Sequence, residues 1–251
     1  MGAIIFSDVH ADAAAIGALA TCIRDPSFSE TFGPVDLLVN LGDLLHRGSR
    51  PQETLEKVHT LSQEHRLVSI LGNHDHAFLH GILVSGSDAA STYRHEQLRD
   101  SPLLSIFNTM PMEWTDREML FVHGGPLDLG NDTLRLKCWQ RLSHEAGDFF
   151  TGYHYTAPMA FENLEQRGLT HMCCGHQHAH ICCRKTKDGI VKHELDFQPV
   201  TLASDRKIHL DVCRVPLDVP TLLRVGGCHG YAPEFAYTDS TTFSFIRFAS
   251  R

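Results

Sequence analysis

The chain of 251 residues has a hydrophobic fraction of 42% and a charged fraction of 21%, ordinary values for a globular protein with a sizeable core. Its formal net charge of -8 disfavours nucleic acid as a partner, because binding a phosphate backbone requires a basic face. A small phosphorylated substrate is compatible with this charge, since bound metal ions reverse the local potential.

The N-terminal region begins with a predicted strand at residues 3–7. No basic segment or cleavage site of a signal peptide precedes this strand, and the myristoylation pattern fails at Phe6, where it requires Ser or Thr. No apolar stretch in the sequence approaches membrane-spanning length. We therefore expect a cytoplasmic protein without a membrane partner.

The first part of the chain alternates predicted strands and helices. Residues 3–7, 35–39 and 67–71 are short apolar runs typical of fully buried strands. Predicted helices at 12–20 and 51–58 lie between these runs. This βαβα order predicts a parallel sheet with helices on its faces.

The second part of the chain is richer in strands. Predicted strands lie at 119–122, 170–174, 181–185, 190–197, 222–225 and 242–248, with a hairpin turn at 187–189. A predicted helical insert near 129–168 would cap the site described next. We see no linker or repeat, so the sequence predicts one domain over residues 1–251.

Five short polar motifs follow predicted strands in a fixed order. They are Asp-Val-His at 8–10, Gly-Asp at 42–43, Gly-Asn-His-Asp at 72–75, His-Gly at 123–124 and Gly-His-Gln-His at 175–178. In an α/β sheet, functional groups collect at the carboxyl ends of the strands. Asp, Asn and His side chains bind divalent metals through oxygen and imidazole nitrogen. The motifs therefore predict one metal centre built from distant parts of the chain.

The number of candidate ligands suits two metal ions. One set consists of Asp8, His10, Asp43 and His178. The other consists of Asp43, Asn73, His123 and His176, so that Asp43 bridges the two ions. Two ions about 3.5–4 Å apart can generate hydroxide as nucleophile and hold a phosphoryl group for in-line attack. Mixed nitrogen and oxygen ligands indicate Mn, Fe, Zn or Co, with Mn favoured.

Three further residues are candidate catalytic groups. His74 adjoins the candidate ligand Asn73 and is placed to protonate the leaving oxygen or stabilise its charge. Asp75 would orient that imidazole or a neighbouring ligand. Arg47 lies four residues after Asp43 and would contact phosphate oxygens with its fork of donors.

In this order the motifs resemble those of the calcineurin-like metallophosphoesterase superfamily, over nearly the whole chain. The resemblance implies a four-layer α/β fold, a two-sheet mixed β-sandwich flanked by helices, and it implies the seven ligands above. Residues 42–48 resemble the Gly-Asp-x-x-Asp-Arg-Gly of the phosphoprotein phosphatase and diadenosine tetraphosphatase branch, with His46 in place of the second Asp. The closing motif looks more like prokaryotic phosphodiesterases, but residues 225–228 replace their Asn-Pro-Gly-Ser.

The predicted function is hydrolysis of phosphate esters with a metal-bound hydroxide. A phosphodiester, a nucleotide phosphoanhydride, a phosphomonoester or a phosphoprotein remains open as substrate, and His74 favours some activity on monoesters. The alternative is a catalytically weak scaffold for protein assembly, as in a retromer subunit of similar fold. Such scaffolds tend to lose ligands, whereas this chain keeps all seven together with His74.

Other histidines need no metal. His95 lies in a polar helical stretch and is expected to be solvated, and His46 would either partner His74 or face solvent. His171 and His180 alternate with the ligands, so we do not expect them to coordinate. His229 would line the pocket.

The eight cysteines include two adjacent pairs, at 173–174 and 182–183. The Cys-x-x-Cys spacing of a zinc ribbon is absent. Because neighbouring residues on a strand face opposite sides, we expect one thiol of each pair in the core.

Overall fold

The structure of the protein, a computed structural model, describes residues 2–130, 136–203 and 207–249. Its helices are α1 (Ala13–Arg24), α2 (Pro26–Phe32), α3 (Pro51–Glu64), α4 (Asn73–Leu79), α5 (Ala89–Glu96), a 3-10 helix (Pro102–Thr109) and α6 (Ala157–Gln166). Its strands are β1 (Ala3–Phe6), β2 (Leu37–Asn40), β3 (Arg66–Ser69), β4 (Glu113–Asp116), β5 (Met119–Val122), β6 (Arg141–Leu142), β7 (Gly147–Phe149), β8 (Gly152–Tyr155), β9 (His171–Cys174), β10 (Ile181–Thr186), β11 (Gly189–His193), β12 (Gln198–Leu202), β13 (Ile208–Pro216), β14 (Thr221–Arg224), β15 (Glu234–Thr238) and β16 (Thr242–Phe248).

The first large sheet contains the predicted parallel unit. Its strand order is β12-β13-β16-β15-β1-β2-β3, and β1, β2 and β3 run parallel to one another. The other strands pair antiparallel, so the sheet is mixed. The predicted alternation of strands and helices is confirmed, and it brings the carboxyl ends of β1, β2 and β3 side by side.

The second large sheet has the order β11-β10-β14-β9-β5-β4. Its central strands β5, β9 and β14 are parallel, and β10 and β11 form the predicted hairpin. Together the two sheets confirm the predicted two-sheet mixed sandwich.

Alternating side chains of each sheet enter different apolar layers. Ile5 of β1 packs in the layer between the sheets with Phe121 of β5, while the neighbouring Ile4 joins the layer under α1 and α3. Cys173 faces the layer between the sheets and Cys174 faces the layer under α6. All eight cysteines are buried. For the five that lie on strands of the two large sheets, burial follows because both faces of these strands are covered.

The predicted helical insert near 129–168 is wrong over its central part. Strands β6, β8 and β7 form a small third sheet, and only α6 is a helix of several turns in the described part of the insert. Gly147 and Gly152 have φ of 144° and 131°, and aromatic residues favouring strands lie beside them, which explains the hairpin of β7 and β8. Residues 131–135 lie outside the described ranges.

None of the helices in the described ranges combines the length and apolar character needed to cross a membrane.

Candidate metal centre

All seven candidate ligands lie at the carboxyl ends of the parallel strands. Those strands bring together five loops that are far apart in sequence. The loops carry Asp8 and His10 after β1, Asp43 after β2, Asn73 after β3, His123 after β5, and His176 and His178 after β9. Six of the seven are buried, and the side chain of the seventh, His178, is 24% exposed.

The ligand loops have an unusual backbone. Asp8, His10, Asp43, His176 and His178 have φ between 50° and 70°, the left-handed region that non-glycine residues rarely adopt. Residues held there cost of order 1–3 kcal/mol each and cluster at functional sites. The strain therefore marks the five positions as held by the surrounding structure to point into one space.

The glycines next to the ligands are required by close approach of the loops. A Cβ on Gly72 would lie 2.1 Å from Asp43 Oδ1, and a Cβ on Gly175 would lie 1.9 Å from Ser7 Oγ. The ligand loops can meet only where these positions lack a side chain.

The first group of ligand atoms, which we call subsite 1, is formed by Asp8, His10 and His178. Their ligand atoms lie within 4.8 Å of one another. His178 Nε2 is 3.1 Å from Asp8 Oδ1 and 3.1 Å from His10 Nε2. Asp43 borders the group, with its Oδ2 3.9 Å from His10 Nε2.

The second group, subsite 2, is formed by Asp43, Asn73, His123 and His176. Asp43, His123 and His176 place their ligand atoms within 4.8 Å of one another. His123 Nε2 lies 3.4 Å from Asp43 Oδ2 and 3.0 Å from Asn73 Oδ1. Asp43 thus lies between the ligand atoms of the two groups.

The donor atoms suit cations in both subsites. His10 and His123 direct Nδ1 at the carbonyl oxygens of Leu45 and Leu41, at 3.3 and 2.8 Å. With the proton on Nδ1, each Nε2 presents a lone pair to other acceptor atoms. Within the described part of the chain, the buried atoms Asp43 Oδ2 and His176 Nε2 have no hydrogen-bond partner. A divalent metal satisfies such acceptor-only clusters, because metal-binding histidines commonly donate their other nitrogen to a carbonyl.

The charges of the centre also favour a cation. Burial alone would raise the pKa of the Asp43 carboxyl, but His123 and His74 outweigh burial and hold it well below its usual range. Burial would lower the pKa of His123, but Asp43 outweighs it and raises that pKa to about 9. The buried carboxylate thus draws positive charge towards subsite 2.

Arg47 and His74 face the same space. Arg47 Nη2 lies 3.2 Å from His74 Nε2, and Arg47 Nη1 lies 3.4 Å from His178 Nε2. The His74 ring contacts the His10 ring edge-on, with 4.8 Å between centroids. Burial lowers the pKa of His74, Asp43 raises it and Arg47 lowers it, with a net shift downwards.

Asp75 lies beneath the centre and bonds to backbone instead of to His74. Its carboxylate accepts hydrogen bonds from the backbone N–H groups of Asp43, Leu45 and Gly72, at 2.7, 3.1 and 3.3 Å. Burial and the nearby Asp43 raise the pKa of Asp75 to about 7. Of the two predicted roles, orienting the neighbouring ligand Asp43 agrees with these contacts.

The predicted solvation of His95 is wrong. His95 is 3% exposed, and its Nε2 accepts a hydrogen bond from the backbone N–H of His46 at 2.8 Å. Helix α5 therefore packs over the loop that follows Asp43. The His46 ring contacts the His74 ring edge-on, with 5.6 Å between centroids. The buried His46 Nδ1 has no hydrogen-bond partner among the residues that the structure describes.

Arg141 is a residue of this site that the sequence did not indicate. Its neighbour Leu142 donates to Gln177 Oε1 at 2.8 Å and accepts from Gln177 Nε2 at 3.1 Å, which places β6 beside the loop of His176 and His178. Burial and Arg47 lower the pKa of Arg141, whereas Asp8 raises it. Arg141 Nε donates to the carbonyl of Thr151 at 3.1 Å. No motif surrounds this arginine, and only its place on β6 brings it to the centre.

Comparison with known proteins identifies the family. Residues 1–180 match the calcineurin-like phosphoesterase family. The chain belongs to this family. No curated protein matches the chain. Members of this family are metal-dependent hydrolases of phosphate esters, so the protein is a metal-dependent phosphoesterase.

Solved structures share the fold. The whole chain superposes on a metallophosphoesterase from Sphaerobacter thermophilus with a TM-score of 0.63 and 23% identity, covering 90% of that chain. A hypothetical protein from Pyrococcus horikoshii OT3 gives 0.62 at 12% identity, with coverage of 100% and 88%. A protein serine/threonine phosphatase from Saccharomyces cerevisiae gives 0.61 at 13% identity, with coverage of 100% and 81%. At these identities the likeness confirms the fold.

Proposed function

We propose that this phosphoesterase uses a dinuclear centre in which Asp43 bridges two divalent ions, with Mn favoured. The observation that carries the proposal is the position of Asp43 between two groups of acceptor atoms. Subsite 1 would be completed by Asp8, His10 and His178. Subsite 2 would be completed by Asn73, His123 and His176.

When bound, the two ions supply a nucleophile at neutral pH and Lewis-acid stabilisation of the phosphoryl oxygens. The residues of the chain do the rest. Arg47 brings a guanidinium group to the centre, where it would bind and orient phosphate oxygens. Arg141, on the strand that borders the loop of His176 and His178, would supply a second guanidinium. His74, held beside Arg47, would protonate the leaving oxygen or stabilise its charge. Asp75 holds the backbone of Asp43 in place.

The proposed substrate is a small phosphorylated molecule. A cleft of about 350 Å³ opens beside the centre, lined by His10, Arg47, Arg50 and His229. Clefts of about 300–1,000 Å³ commonly hold small ligands. Its two arginines favour an anionic substrate. A phosphodiester, a nucleotide phosphoanhydride and a phosphomonoester all have this chemistry.

A scaffold role has less support. Every one of the seven candidate ligands lies in the centre, and His74 and Arg47 face it.

A cytoplasmic location is supported by the eight cysteines, which form no disulfide bond, since reducing compartments keep thiols reduced.

The test is hydrolysis by metal-stripped protein with and without Mn²⁺, using p-nitrophenyl phosphate and bis-p-nitrophenyl phosphate in parallel. We expect turnover only with metal, and the ratio of the two rates decides between monoester and diester. Asp43→Asn should lose this turnover. The matched control is Asp218→Asn, which removes the same charge at an exposed position and should keep full turnover. Absence of turnover with Mn, Fe, Co and Zn alike would contradict the proposed catalysis.

A further inference from the structure

The loop at residues 226–230, which we call the C-terminal loop, lies beyond the residues that match the family and yet reaches the metal centre. The backbone N–H of Cys228 donates to the carbonyl of Ser7 at 2.8 Å, directly before Asp8. The N–H of Gly230 donates to Asp12 Oδ2 at 2.9 Å. The N–H of Gly226 donates to His180 Nδ1 at 2.9 Å. The C-terminal loop is thus tied to both ligand loops of subsite 1.

His229 projects from this loop onto the candidate ligand His178. Its Nε2 lies 3.3 Å from His178 Nδ1, and the two rings are nearly perpendicular, with 5.0 Å between centroids. A Cβ on Gly227 would lie 2.5 Å from His229 Nε2, so the ring occupies space that only glycine at 227 leaves open. The loop is therefore shaped to hold the His229 ring against His178.

Three of the candidate ligand histidines have a partner for Nδ1, the ring nitrogen that faces away from the subsite. The partners of His10 and His123 are backbone carbonyls, and the partner of His178 is His229. In each case Nε2 is left for the subsite. His178 differs because its partner is a side chain, and its own side chain is 24% exposed.

We infer that His229 is a positioning residue for the metal ligand His178. It accepts a hydrogen bond from His178 Nδ1–H through its own Nε2 and thereby keeps His178 Nε2 directed at Asp8 and His10. His229 itself is then the tautomer with its proton on Nδ1. This role rests on the proposed metal centre, and it gives the C-terminal segment a part in metal binding.

Partners of this kind matter for metal affinity. Removing the residue that orients a metal-binding histidine typically costs about 10–100-fold in affinity. The loss should fall on subsite 1 alone, since His229 has no contact with the ligands of subsite 2 among the contacts of the described residues. One of two bound equivalents should therefore weaken while the other is unchanged.

The experiment is calorimetric titration of metal-stripped protein with Mn²⁺. It compares wild type with His229→Ala, His229→Gln and the control His193→Ala, a half-buried histidine on the edge strand β11. We expect His229→Ala to weaken one equivalent by about 10–100-fold. His229→Gln should recover most of the affinity, because its amide oxygen can accept from His178. His193→Ala should bind as wild type.

Each other outcome is decisive. Unchanged binding by His229→Ala would overturn the positioning role, and so would equal losses in the Ala and Gln variants, or an alanine variant that no longer folds by circular dichroism. If wild type itself binds fewer than two equivalents, the proposed dinuclear centre fails, which is a different result from failure of His229. Visible spectra with Co²⁺ give a second readout that does not depend on catalysis.

Discussion

The two subsites of the centre have similar ligands but different surroundings. In subsite 2, His123, Asn73 and His176 are all at most 5% exposed, and the backbone carbonyl of Leu41 accepts from His123. In subsite 1, His178 is partly exposed and its partner is a side chain from the C-terminal loop. A ligand held by a backbone carbonyl needs no further ordering to bind metal, whereas His178 depends on the side chain of His229. The comparison teaches that one motif family can build a centre in which one ligand depends on a side chain from outside the motifs.

Asp43→Asn should have the largest effect, because it removes the charge common to both subsites. Lewis-acid stabilisation contributes several kcal/mol, so we expect a loss of about 1,000-fold in turnover on p-nitrophenyl phosphate. Mn²⁺ titration should show both equivalents weakened. If only one weakens, Asp43 is a ligand of one subsite and the bridging assignment is wrong.

Replacing one histidine in each subsite should expose the difference in burial. These variants are compared as metal-stripped proteins. His123→Ala leaves the buried Asp43 carboxylate without its partner, which should lower the free energy of unfolding by about 3–5 kcal/mol. His178→Ala removes a partly exposed ring and should cost about 1 kcal/mol. Urea denaturation measures both values. Equal costs would contradict the proposed difference between the subsites.

Arg47→Ala tests the group that spans from subsite 1 to His74. Losing a charge-assisted hydrogen bond costs about 1.5–3 kcal/mol, which corresponds to about 10–100-fold in kcat/KM. Metal content should stay at the wild-type level, since Arg47 binds no metal. The exposed Arg24 on α1 gives the control Arg24→Ala, expected to keep normal kinetics.

The smallest expected effect is a difference in metal affinity between the two subsites, which stepwise chelation would reveal. We expect subsite 1 to lose its ion first, with an affinity gap of at least about 10-fold, the lower end of what orienting partners contribute. Metal analysis after dialysis against increasing chelator would then show a plateau at one ion per chain. Simultaneous loss of both ions would mean that the subsites are equally rigid.

Much of the site was predictable because its signals are local. Each ligand stands one to four residues after a strand, and the strands are recognisable as short apolar runs, so Asp8, Asp43 and Asn73 could be placed at one sheet edge. The helical prediction for the insert was wrong because its aromatic residues and glycines favour the hairpin of β7 and β8. The prediction that His95 is solvated was wrong because burial of a polar helix face depends on what the helix covers, here the loop after Asp43.

The sequence by itself determined the metal-binding chemistry, the order of ligands and the family, because these follow from residue types at strand ends. Tertiary structure decided which residues surround the ligands. Arg141 reaches the centre only through the small sheet of the insert, and His229 only because the C-terminal loop bonds to Ser7 and Asp12. Neither residue belongs to a motif, and each is brought to the centre by packing between distant segments, as in the bond from Gly230 to Asp12 across 218 residues. Local sequence carries no record of such packing.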